Sequence, residues 1–142
     1  MEKSDIERIV LKLNKTLKEK YSTDVIFSGT YGLYLNGIVL DREFNDVDVR
    51  VVGVDPKLLR KNKFEFEVPI HFLGDTTVQL EHAEVDVSGE KILVYTPQTI
   101  INCKKHTVAF NETRKIKNEV TELKKEKEQQ DLDFIKEKYG ME

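Results

Sequence analysis

Residues 46 to 51, Asp-Val-Asp-Val-Arg-Val, alternate between polar and apolar side chains without a break. Successive side chains on a strand point to opposite faces, so this period of two sets Val47, Val49 and Val51 on one face and Asp46, Asp48 and Arg50 on the other. The segment is predicted to be a half-buried strand, with two carboxylates on its polar face about 7 Å apart along the backbone. Hard divalent cations such as Mg²⁺ take oxygen ligands and are usually held by one or two carboxylates together with substrate phosphates. Upstream, the apolar run Asp24-Val-Ile-Phe27 ends in Ser28-Gly29-Thr30, read as a strand leaving through a tight turn. A turn that exposes backbone beside a carboxylate pair is what a nucleoside triphosphate requires, and the conjunction carries more weight than either element alone.

The bulk properties narrow the setting. A chain of 142 residues is long enough to bury a real core as one domain, and no repeat, low-complexity linker or boundary divides 1–142. The formal charge of −3 provides no basic field, so sequence-independent nucleic-acid binding is not expected. No apolar run approaches the roughly 20 residues of a membrane helix, and the polar Met-Glu-Lys-Ser-Asp start lacks a signal-peptide core. With one cysteine, Cys103, there is no intramolecular disulfide and no cysteine zinc site, which fits a cytoplasmic location; Cys103 reads as a buried filler.

The remaining elements follow from periodicity. Ile6, Ile9, Val10, Leu13 and Leu17 form one helical stripe, with Ser4 and Glu7 spaced as a capping box. Thr30 to Asn36 reads as a short helix closed by Gly37, and Asp55-Pro56 opens another. A second alternating strand is predicted with Phe64, Phe66, Val68, Ile70 and Phe72 inward and Glu65, Glu67 and His71 outward. Residues 77 to 87 and 92 to 95 read as further strands, and the pattern turns helical from Pro97. Asn111 to Tyr139 reads as one long charged helix with a stripe of Ile116, Val120, Leu123, Leu132, Ile135 and Tyr139. Nothing apolar falls between Lys124 and Asp131, so that stretch is expected to be solvated or to lie on a partner.

Strand, Gly-Thr turn, short helix and a strand bearing Asp-x-Asp together resemble the nucleotidyltransferase superfamily. Its hallmark is G-[ST] followed about ten to fifteen residues later by D-x-D. Arg42, four residues before Asp46, is similar to the R-x-x-x-D-x-D variant of the minimal and AbiEii-type nucleotidyltransferases. Tyr95-Thr-Pro-Gln98 leading into a helix, and Gln-Asp-Leu-Asp-Phe-Ile near the end, resemble the C-terminal part of such proteins. The resemblance implies an α+β fold, a mixed β-sheet flanked by helices with a long C-terminal helix. It also implies Mg²⁺-dependent transfer of a nucleoside monophosphate from an NTP to a protein or RNA hydroxyl, in the manner of toxin–antitoxin nucleotidyltransferases. Gly29, Thr30, Arg42 and Lys104 would then meet the nucleotide, and Asp46 and Asp48 would hold the metal. The family commonly adds a third carboxylate on the next strand, where this chain has His71. An imidazole can still ligate a metal or take a proton; Glu67 or Asp86 is the alternative third acid. Two other readings stay open: a catalytically silent member that binds nucleotide or a protein, and an interaction module docking through its last helix. His82, His106 and the Lys124-to-Lys127 run read as surface, and Tyr31 and Tyr34 as core.

Overall fold

The computed structural model describes residues 2–62, 65–113 and 118–142. Phe64 and Ile116, assigned above to a strand face and a helical stripe, lie outside the described residues. The chain opens with α1 (Lys3–Tyr21), whose apolar stripe is buried as its spacing requires. Its start is set two residues earlier than Ser4 and Glu7 suggest, with Glu2 as the cap. The Glu2 N–H donates to the Asp5 carboxylate at 3.4 Å, while Ser4 lies within the helix and Glu7 pairs with Lys3.

Strand β1 (Val25–Ser28) is buried along its whole length and passes directly into α2 (Gly29–Leu35). Then come β2 (Val47–Val51), α3 (Pro56–Lys61), β3 (Ile70–Phe72), β4 (His82–Val87) and β5 (Glu90–Tyr95). The Asp55 side chain caps α3 by accepting from the Lys57 N–H at 2.9 Å. The strands make one five-stranded sheet ordered β3-β2-β1-β5-β4. It is mixed: β1 runs parallel to β5, β2 runs parallel to β3, and the other two pairings are antiparallel. The β4–β5 hairpin turns through Ser88 and Gly89 at φ 51° and 87°, the backbone of a two-residue turn matched to strand twist.

Two strands are shorter than the sequence pattern suggests. Residues 65 to 68 lie outside β3, although Phe66 and Val68 still pack on the core, and β4 begins only at His82. Apolar alternation reports which way side chains face; it does not report whether the backbone finds a ladder partner.

One face of the sheet, with Phe27, Val47, Val49, Val51, Ile92 and Val94, packs on α1. The opposite face meets α4 (Pro97–Thr113) and α5 (Glu119–Tyr139) through Ile26, Leu33, Tyr95, Ile100, Ile101 and Ile135. Asp48 and Arg50 project to this second face. The C-terminal region is two helices and not one: the described part of α4 runs to Thr113, and Asn118, in extended backbone, caps α5 by accepting from the Thr121 N–H at 3.0 Å. Asn118→Ala is expected to lower stability by about 1 kcal/mol, the usual loss for a removed cap. A chemical denaturation curve shifted to lower denaturant at unchanged slope would register it.

The apolar stripe read in the sequence holds in the second half of α5, where Ile135 is buried and Leu132 and Tyr139 pack on the core, but not in the first, where Val120 and Leu123 are 74% and 58% exposed while Thr121 is buried. The first half of the helix thus turns a polar face inward, and a search for apolar periodicity selects the wrong side. Among the described residues, no helix is long and apolar enough to cross a membrane.

Candidate active site

Strand register brings the sequence-selected residues side by side across three neighbouring strands, β1, β2 and β3. Asp48 lies opposite Ser28 of β1 on one side and opposite His71 of β3 on the other. Gly29 follows Ser28 at φ +61°, the left-handed region that glycine enters without steric cost. Its missing side chain is also a packing requirement. A Cβ placed there would lie 2.0 Å from Asp48 Oδ2 and 3.2 Å from Asp48 Cβ, so the carboxylate is seated on the glycine backbone.

The other carboxylate oxygen, Asp48 Oδ1, is 2.7 Å from His71 Nδ1. An ionised carboxylate only accepts, so Nδ1 carries the hydrogen and the lone pair of a neutral ring is left on Nε2. The His71 side chain is half exposed and lines the same cleft as Asp46 and Asp48. Asp46 is exposed just ahead of β2.

The other two expected acids go elsewhere. Glu67 is bound by Arg8 and Lys12 of α1, and those cations hold its carboxyl below the usual range. Asp86 accepts from the Gly89 N–H at 3.0 Å in the β4–β5 turn, on the far edge strand from β3. Among the described residues neither is available as a third acid beside Asp48.

The cleft has a volume of about 710 Å³, inside the usual range for small-molecule sites. Its sheet wall carries Ser28, Gly29, Thr30, Asp46, Asp48 and His71. The helical wall carries Cys103, Lys104 and Thr107 from α4, with Lys124, Lys127 and Glu128 from α5. The apolar-free stretch of α5 is mostly exposed and turns one side, with Lys124, Lys127 and Glu128, to this polar cleft.

Arg42 and Lys104 both reach this wall, and both are held by α5. Arg42 Nε and Nη2 donate to the two Asp131 oxygens at 2.8 and 2.9 Å, and Nη2 also donates to Thr30 Oγ1 at 3.0 Å. Lys104 Nζ donates to Asp131 Oδ2 at 3.0 Å and to Glu128 Oε2 at 3.1 Å. Lys104 and Asp131 are only 6% and 4% exposed. Burial pushes the Asp131 carboxyl up, but the hydrogen bonds from Arg42 and the charge of Lys104 outweigh it and hold the group below its ordinary value. Arg42 is thus the partner of Asp131, and not of its sequence neighbours Asp41 and Glu43 through their carboxylates.

Sequence reasoning missed Asp131, Glu128, Lys124 and Lys127 as members of the site. The signal available was their spacing: positions 124, 127, 128 and 131 fall on one helical face, and every one is charged. Other readings hold. Tyr31 is fully buried and meets Phe44 edge-on at 5.1 Å, and Tyr34 meets the same ring at 5.7 Å. His82 and His106 are exposed on β4 and α4. Cys103 is only half-buried, at the cleft wall, and burial pushes its thiol up, away from a reactive thiolate.

Among the described residues no three or more carboxylate, imidazole or thiolate groups assemble a metal cage. Mg²⁺ needs none, because it keeps several waters and is usually bound through one or two carboxylates plus phosphates. Asp46 and Asp48, both on the cleft surface with Asp48 fixed by Gly29 and His71, fit that mode of binding.

No family model matches the chain, and no curated protein matches it. Among solved structures it is similar to an antigenic nucleotidyltransferase-like protein from Paracoccidioides brasiliensis, at 13% sequence identity and a TM-score of 0.56. The likeness covers 95% of this chain and 77% of the other. The chain therefore has a nucleotidyltransferase-like α+β fold.

Proposed function

We propose that the cleft binds a nucleoside triphosphate with Mg²⁺ and transfers the nucleoside monophosphate to a hydroxyl of a protein or RNA acceptor. The observation that carries this reading is the seating of Asp48 on the backbone of Gly29. A left-handed glycine that leaves no room for a Cβ puts a carboxylate in direct contact with the backbone turn that opens α2. Asp46 and Asp48 would hold the metal, which when bound supplies charge stabilisation to the phosphoryl oxygens.

The protein's own groups have separate tasks. The Thr30 hydroxyl accepts from Arg42 and keeps its hydrogen for a phosphate oxygen. Lys124 and Lys127, exposed at the cleft wall, have no ion pair among the described residues and supply positive charge facing a polyphosphate. In this reading His71 Nε2, the nitrogen not bound to Asp48, takes the proton of the acceptor hydroxyl as that oxygen bonds to the α-phosphorus and pyrophosphate departs.

A second reading, nucleotide binding without transfer, is favoured by one feature: an imidazole occupies the place beside Asp48 where an acid would complete the set. Calorimetric titration with each common NTP, with and without Mg²⁺, separates these from a pure docking role. Mg²⁺-dependent binding is expected in the wild type and is expected to vanish in Asp46→Ala/Asp48→Ala. If no NTP binds the wild type under either condition, both nucleotide readings fall. Transfer of label from NTPs radiolabelled at the α-phosphate to lysate protein or RNA then distinguishes enzyme from binder.

A further inference from the structure

Asp131 stands behind the helical wall of the cleft. Arg42 and Lys104 line the cleft, and Asp131 binds both of them without itself reaching the cleft surface. It is reached from three places: α5 carries it, α4 brings Lys104, and the segment before β2 brings Arg42. The Arg42 fork is fully directed by this arrangement. Two N–H groups close on the two Asp131 oxygens, and Nη2 is shared with Thr30 Oγ1. An arginine held bidentately has its plane fixed, so its remaining donors are aimed and not free to wander. Thr30 is 6% exposed, and an N–H directed into its oxygen orients the hydroxyl hydrogen away from Arg42.

We propose that Asp131 is a positioning residue for the nucleotide site, acting through Arg42 to set the Thr30 hydroxyl that donates to the triphosphate. This rests on the cleft being a nucleotide site. It makes the last helix part of the binding apparatus and assigns its buried acid a task that charge balance alone does not require. A carboxylate that only neutralised Arg42 and Lys104 would oppose an anionic ligand, and removing its charge would tighten binding. A carboxylate that aims Arg42 at Thr30 has the opposite sign: removing it weakens binding although the site becomes more positive.

The test is a double-mutant cycle on binding of whichever common NTP binds the wild type most tightly with Mg²⁺, read by calorimetry, with thermal melting as a check on folding. Asp131→Asn keeps size and loses one accepting oxygen; Arg42→Lys keeps the charge and loses the fork. Each is expected to raise Kd about tenfold, the lower end of what a supporting-shell change costs. Because both break the same link to Thr30, the double variant is expected to stay near that loss and not to approach the product of the two. Should Asp131→Asn fail to fold, Arg42→Lys and Thr30→Val take its place in the cycle with the same expectation. An unchanged or lower Kd for the single variants overturns the proposal, as does a double variant whose loss equals the product of the singles. No binding by the wild type overturns the nucleotide reading itself, and the positioning role with it.

Discussion

Gly29→Ala is expected to eliminate Mg²⁺-dependent nucleotide binding and to destabilise the fold by more than strain alone. An alanine held at φ +61° costs about 1–2 kcal/mol in any surroundings. At this position the added methyl would also lie 2.0 Å from Asp48 Oδ2, 2.9 Å from its Cγ and 3.2 Å from its Cβ. Rotating the carboxylate relieves the first two contacts but not the third, so the strand itself must shift. Displacing Asp48 breaks its hydrogen bond to His71, adding about 1 kcal/mol or more. Gly37 is the control. It has φ +82° and nothing within 4 Å of the methyl that alanine would add, so Gly37→Ala should show the strain and keep the binding. Equal stability losses in the two variants, or retained binding in Gly29→Ala, would mean that the Asp48–Gly29 contact is not what shapes the site.

The same contact shows how far the sequence carries the argument. The alternation of residues 46 to 51 identified the strand and its polar face, and the glycine turn identified the opposing edge. Their adjacency followed from neither. It comes from β1 and β2 pairing so that Ser28 meets Asp48, a long-range fact without a local signature. His71 was legible as an outward residue of a later strand, and its partner again depended on register.

Asp131 and Glu128 were hidden for a different reason. A buried acid in a helix rich in Lys and Glu has the same letter as a solvated one, and apolar periodicity, the usual guide to an inward face, is silent where that face is polar. The exposed Val120 and Leu123 even pointed to the opposite side. The division into α4 and α5 was missed because the charge pattern of 111 to 139 runs across it, and the Asn118 cap, a single residue, marks the start of α5.

Lys104→Met should be the most destabilising substitution in the helical wall. The Lys104 and Asp131 side chains are 7% and 5% exposed, and Glu128 shares the ammonium. Removing Lys104 leaves Asp131 to Arg42 alone and Glu128 without this cation, so the loss is expected at about 1.5–3 kcal/mol, the worth of hydrogen bonds to a charged group, and above that of an exposed pair. The loss should depend on pH in a defined direction. Asp131 is held below its ordinary value in the folded chain, so its stabilising contribution is complete above the unfolded carboxylate pKa of about 3.9 and is lost as pH falls through the lower folded value. Without Lys104 the folded value rises, and that loss begins at higher pH. Below both values Asp131 is protonated in either protein and no longer needs the cation, while the wild type still buries Lys104. The stability gap between wild type and Lys104→Met should therefore be largest near neutral pH and narrow toward about pH 3. Urea denaturation at the two pH values measures it. A gap that stays constant would assign Lys104 to packing by its aliphatic stem, and the charge at the centre of the wall would no longer explain why α5 lies across the cleft.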